Sequence, residues 1–247
     1  MSGKNFWMSI VALVFGFAGG FFLANTLNRV EMDTVKAEND RLKTNRDTSS
    51  DEAAEFSLTD EETKKKLAEA DANPKNFAFQ KNLGLALYRY ASMKRDVELL
   101  SKSMRILVRA LALEPNDHDL QVGLGNAYFD IGYFNKDNES FEKSREFYGK
   151  ALAKRPDDVE IQTDLALTYF LQQPSKLPNA VAEFEKALVI DPDHEKTLQF
   201  LIQSLLKQNE TDKAANYLEQ LKRAHPASPS INELSSLLNG RRETPQQ

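Results

Sequence analysis

Residues 164–192 read DLALTYFLQQPSKLPNAVAEFEKALVIDP. Apolar residues recur every three or four positions on both sides of a break at Gln173-Pro174-Ser175, the pattern of two amphipathic helices joined by a short connection. Leu165-Ala166 and Tyr169 fall in the first helix, and Ala180, Phe184 and Ala187 in the second. Pro192 closes the unit, because a proline ring stops one helix and suits the start of the next. The same order of residues returns elsewhere in the chain. Leu124-Gly125, Tyr128, Tyr148, Ala151 and Pro156 make the preceding copy, Leu83-Gly84, Ala110 and Pro115 an earlier one, and Leu201, Ala214 and Pro226 a weaker later one. Pro74, Pro115, Pro156, Pro192 and Pro226 are spaced 41, 41, 36 and 34 residues apart. A period of that size marks a stacked array of supersecondary units.

The pattern resembles the tetratricopeptide repeat family, whose period is about 34 residues with Leu-Gly, Tyr, Ala, Phe and Pro at fixed offsets. The resemblance covers about residues 76–226. It implies an all-α helix-turn-helix superhelix of about four repeats, at 76–116, 117–157, 158–193 and 194–227, within a domain spanning 59–240. A lead helix is expected at 59–72, because Thr59 and Glu62 have capping-box spacing and Leu58 is placed for a hydrophobic staple. A capping helix is expected at 229–239 over SINELSSLL, stopped by Asn239-Gly240, with a tail at 241–247. The first two copies carry about seven extra residues, around 91–100 and 131–140. The glycine-bearing DIGYFNKDNES reads as a widened turn, and ASMKRDVELL as a candidate for lengthening a helix. In the fourth copy Ile202 and Leu221 replace the small residues expected there, which suggests looser packing or a terminal role.

The resemblance assigns packing roles to the small positions: Gly84, Gly125 and Ala166 where the first (A) helix meets the second (B) helix of its own repeat, and Ala110, Ala151, Ala187 and Ala214 on the B helices. Its inward-facing offsets nominate a partner-binding groove of Lys81, Tyr88, Arg89, Asn126, Phe129, Thr163, Phe170, Gln199 and Gln203. Tyr88, Phe129 and Phe170 share one offset, 41 residues apart, as an aromatic ladder. Two readings stand for it: a stacking surface for a bound peptide, with Asn126, Gln199 and Gln203 bonding the peptide backbone, or rings packed into the core. A clamp for a terminal carboxylate is not expected. Lys81 and Asn126 fit one, but Leu85, Thr163 and Leu167 stand where its other polar members belong.

Composition narrows the function further. The 247 residues contain no cysteine, which excludes disulfides, thiolate metal sites and thiol nucleophiles. Lys+Arg total 32 against Asp+Glu 37, so no cationic surplus is available for nucleic acid. The three histidines take scaffold positions, His118 and His194 soon after a repeat proline and His225 just before one. No phosphate-loop, zinc-protease or serine-hydrolase motif occurs. The expectation is a non-enzyme with no cofactor and no metal.

Ahead of the repeats, FWMSIVALVFGFAGGFFLA at 6–24 is nineteen residues without a charge, enough to span a bilayer as a single helix within an anchor at 1–25. Phe6, Trp7 and Leu23 mark its ends, and Gly16 and Gly20 give a small-xxx-small face. A cleaved signal peptide is the rival reading, with Ala18-Gly19-Gly20 as the processing site. Residues 26–58 form a charged stalk in which Met32, Val35, Asn39 and Leu42 make a short heptad-like seam. A short N-terminal tail favours export of the repeat domain to a periplasm-like compartment over the cytoplasm. The expected function is a single-pass, membrane-anchored scaffold or adaptor that binds a protein or peptide in the concave groove. The alternatives are an exported chaperone-like factor in membrane-protein or cytochrome c biogenesis, and a structural protein that self-assembles through its N-terminal segment.

Overall fold

The first helix, α1 (Asp60–Ala72), begins where a reciprocal cap can form. Thr59 Oγ1 accepts the Glu62 N–H at 3.2 Å, and Glu62 Oε2 accepts the Thr59 N–H at 2.9 Å. A computed structural model provides the structure and describes residues 59–243. The expected anchor residues Phe6, Trp7, Gly16, Gly20 and Leu23, the stalk and the last tail residues lie outside the described residues. Among the described residues there are ten α-helices and no strand, and no helix is long and apolar enough to cross a membrane.

Four antiparallel pairs follow α1: α2 (Phe77–Lys94) with α3 (Val97–Leu113), α4 (His118–Asn135) with α5 (Asn138–Leu152), α6 (Val159–Leu171) with α7 (Leu177–Ile190), and α8 (Glu195–Lys207) with α9 (Thr211–Ala224). A last helix, α10 (Ile231–Glu243), lies against α9 and α8. The sequence places an Asn or Asp before five of these helices. The side chains of Asn76, Asp96, Asp117, Asp137 and Asp158 each accept a free N–H of the first turn.

Two expectations about element ends need correction. The extra residues of the second copy lengthen helices and do not widen a turn. Both α2 and α4 have 18 residues against 13 for α6 and α8, and each joins its partner through two residues, Arg95-Asp96 or Lys136-Asp137. Arg95 (φ 54°) and Lys136 (φ 56°) take the left-handed conformation, and the following Asp caps the next helix. Gly132 is helical and is needed for a close approach: a Cβ there would lie 2.9 Å from Phe141 Cδ1. The expected stop at Asn239-Gly240 also fails, because α10 runs on to Glu243. Arg241 donates to Asn209 Oδ1 at 3.1 Å and pins that end to the loop before α9.

Each A helix packs on its own B helix, and each B helix on the A helix of the next pair. Successive A helices also touch, α2 with α4, α4 with α6 and α6 with α8, while successive B helices make no comparable contact. The A helices therefore form the inner, concave wall of a curved array. The core is stacked accordingly in two apolar clusters, one from Ala70 to Ala127 and the other from Phe129 to Leu238.

The small positions let the helices close on one another. Ala110, Ala151, Ala166, Ala187 and Ala214 are fully buried. A Cβ added at Gly125 would stand 2.5 Å from Tyr148 Cδ1, and one at Gly84 would stand 2.7 Å from Leu107 Cδ2. Ile202 and Leu221 are fully buried in the fourth pair, so larger side chains fill that interface. The two glycines differ in what must move. The Tyr148 ring is buried and its hydroxyl is tied to Asn126, whereas at Gly84 the nearest atom is a methyl of Leu107, with Leu107 Cγ at 3.0 Å and Ile106 Cγ2 at 3.2 Å behind it. Gly125→Ala is expected to destabilise by about 1–3 kcal/mol through overpacking. Gly84→Ala is expected to cost less, because a helix-propensity gain of up to about 1 kcal/mol offsets part of its strain. Urea denaturation of the two variants tests this, and equal losses would refute the assigned difference.

Candidate functional site

The concave wall is the surface to which the inward-facing offsets point. Its A helices are stitched to one another by polar contacts that the sequence did not announce. At one end Lys81 of α2 reaches Asp117 and Asp119 at the start of α4, at 2.8 and 2.7 Å. Burial acts against the Lys81 ammonium, but the two carboxylates outweigh it and hold its pKa above the ordinary lysine value. Further along the same two helices, Asp130 accepts from Ser92 Oγ at 2.5 Å and from the Tyr88 hydroxyl at 3.2 Å.

A second polar group joins α6 to α8. His194 caps the start of α8, with Nε2 3.0 Å from Glu160 Oε1 and Nδ1 2.7 Å from Thr197 Oγ1. Lys196 reaches Asp164 at 2.7 Å and Glu160 at 3.4 Å. Thr163 and Thr197 share a hydrogen bond of 2.6 Å beneath them. Burial favours protonation of Glu160, yet the hydrogen bond from His194 and the charge of Lys196 prevail and lower its pKa to about 2. His118, one register position from His194, is the first residue of α4, and burial lowers its pKa. Among the described residues no cluster of three or more His, Asp or Glu is arranged to hold a metal.

These ties redistribute the expected groove residues. Tyr88, Phe129 and Phe170 are 4, 4 and 3 % exposed, which corrects the reading of them as an open stacking surface. Phe129 meets Phe141 edge-on at 5.8 Å, and Phe170 meets Phe200 edge-on at 5.6 Å with the Lys207 ammonium 4.0 Å from its centroid. Thr163 and Gln199 are also buried, and Gln199 donates to Glu195 and Ser228. Asn126 accepts from the Tyr148 hydroxyl at 2.8 Å. Lys81 is held by two carboxylates of its own chain and is not free for a terminal carboxylate, whereas Asn126 is engaged through its oxygen alone. Arg89 is exposed, and Gln203 is half-buried at the other end of the wall. What stays accessible is a strip of half-buried side chains, Leu85, Val122, Asn126, Tyr133, Leu171 and Gln203. Sequence reasoning missed Glu160, Asp164, His194 and Lys196 as a group, since the ties join positions 32–36 residues apart with no shared motif.

Comparison with known proteins agrees with this architecture. A model described as Tetratricopeptide repeat matches residues 171–238, over α7 to α10. Residues 171–238 are thus tetratricopeptide repeat in sequence as well as in fold. A second family model, described as Plant specific mitochondrial import receptor subunit TOM20, matches residues 55–174. No curated protein matches the chain. Among solved structures, a crystal structure of MamA superimposes with a TM-score of 0.54 at 18% identity, covering 67% of this chain and 87% of that one. A second MamA crystal structure gives a TM-score of 0.54 at 16% identity, over 85% and 93% of the two chains. PilW, described as a widely conserved type IV pilus biogenesis factor, gives a TM-score of 0.52 at 14% identity, over 74% and 81%. At these identities the likeness is one of fold.

Acid should weaken the α6–α8 tie through Glu160. The lowered Glu160 pKa means that its contribution is complete above about pH 4.5 and is lost as pH falls toward 2. Glu160→Gln is therefore expected to remove on the order of 3 kcal/mol at pH 7 and to flatten the loss of stability between those two values. Denaturation curves across a pH series check this. A variant with the parent's acid profile would show that Glu160 does not carry the tie.

Proposed function

We propose that this tetratricopeptide-repeat protein is a non-enzymatic adaptor, held at a membrane by residues 6–24, that receives a segment of another protein along its concave wall. The observation that carries the reading is the accessible strip from Leu85 and Val122 to Leu171 and Gln203. It combines apolar side chains with the amides of Asn126 and Gln203, which suits an extended or helical peptide that buries apolar side chains and needs partners for its backbone. The internal ties support the same reading. With the wall's charges mostly neutralised by one another, recognition rests on shape and apolar contact more than on net charge. The anchor reading rests on the uncharged run at 6–24.

Photoreactive residues placed at Val122 and Gln203, in cells, test the wall. Val108 and Val189, which are exposed on B helices, serve as controls. Discrete cross-linked partners from the wall positions alone are the expected result. Equal labelling from the B helices, or none from the wall, would overturn the groove reading. Membrane fractionation with protease added from outside tests the anchor separately: the repeat domain is expected in the membrane fraction and open to digestion.

A further inference from the structure

We propose that Asp130 is a proton-operated latch between the first two helix pairs: with its carboxyl protonated, α2 is held against α4, and with it ionised the C-terminal half of α2 parts from α4.

The geometry that supports a latch starts with the division of the core. The two apolar clusters meet along α4, between Ala127 and Phe129, and Asp130 lies next to that boundary. A few hydrogen bonds lie beside that boundary. Ser144 donates to the Gly125 carbonyl at 2.8 Å, Tyr148 to Asn126 at 2.8 Å, and Ser92 and Tyr88 to Asp130 Oδ2. Asp130 itself is 0 % exposed, and its Oδ1 has no hydrogen-bond partner. A buried carboxylate is tolerated when a cation or several donors surround it. Here there is no such cation among the described residues.

The titratable groups that face Asp130 are Tyr88 from α2, Tyr148 from α5 and Asp164 from α6, the last tied to Lys196 of α8. The buried side chains of α3 are apolar apart from Ser103, which bonds within its own helix. Ionising Asp130 therefore places a negative charge in an apolar setting, near a second carboxylate. Burial is the main cause that raises the Asp130 pKa, to about 7, against the opposing hydrogen bonds from Ser92 and Tyr88. The sign follows. Between the ordinary value of 3.8 and about 7 the folded chain binds more protons than the unfolded one, so stability falls as pH rises through that window.

Relief has an obvious route. Lys81 secures α2 to the start of α4, while Asp130 is the tie nearer the opposite end of the two helices. Opening at Asp130 pivots α2 about Lys81 and widens the wall toward the far ends of the two helices, at Tyr88 and Tyr133.

The chain has no cysteine, so introduced pairs are unique. Spin labels on Met93→Cys and Asn135→Cys, exposed at the far ends of α2 and α4, report the gap in the full-length chain in detergent. Labels on Lys186→Cys and Lys213→Cys, across α7 and α9, report a pair of helices outside the latch. Between pH 5.5 and 8.5 the first distance distribution is expected to lengthen and broaden with a midpoint near 7, while the second stays constant. Asp130→Asn should hold the short distance at every pH. Ser92→Ala removes a donor to the ionised form and should move the midpoint upward. A parent distribution that does not change with pH, an Asp130→Asn variant with the parent's transition, or an unmoved midpoint in Ser92→Ala would each overturn the latch.

Discussion

The close approach of α5 to α4 at Gly125, where the Tyr148 ring covers a position with no room for a side chain, sets the spacing on which the middle of the array depends. Gly84 does the same for α3 on α2, and Ala166 lies fully buried in the corresponding place on α6. A helix pair closed this tightly still has an apolar outer face, and it covers that face only against the next pair. The array is thus a chain of nearest-neighbour interfaces, closed at one end by α1 and at the other by α10.

That construction explains why the concave wall is so heavily committed to itself. The A helices converge on the inner side, and any polar residue there loses water to its neighbours. Such groups must be partnered, and the chain partners them across repeats, Lys81 with Asp117 and Asp119 and Lys196 with Glu160 and Asp164, or within one repeat, Asn126 with Tyr148. The cross-repeat ties join one A helix to the next. Gln80, His118 and Gln121 each keep one buried atom without a partner, and so does Asp130, a buried acid that lies where the apolar core is already divided.

The sequence offered the wall as a list of offsets, and the offsets did find side chains on the A helices. They did not separate an open residue from one consumed by the fold. Tyr88, Phe129 and Phe170 share a register, but the curvature of the array turns all three into the interface between repeats. Val122, Leu171 and Gln203 have weaker chemical signatures and remain accessible. The extra residues of the second repeat were likewise visible as a length, while their placement was not. Gly132 looks like a turn residue in sequence, and it is a helical residue that admits the Phe141 ring.

What the sequence determined by itself is the all-α repeat array, because proline period, small contact positions and helix caps are local signals that act through backbone geometry a few residues away. The capping box at Thr59 and Glu62 and the Asp caps before α3 to α6 belong to this class. Tertiary structure alone decided which wall residues stay open, which carboxylates meet a cation, and where a buried acid is left without one. Those outcomes depend on side chains some 30–40 residues apart brought together by the angle between successive pairs, as Lys81–Asp117, His194–Glu160 and Ser92–Asp130 are. That angle is fixed by the packing of whole interfaces, and no single stretch of sequence encodes it.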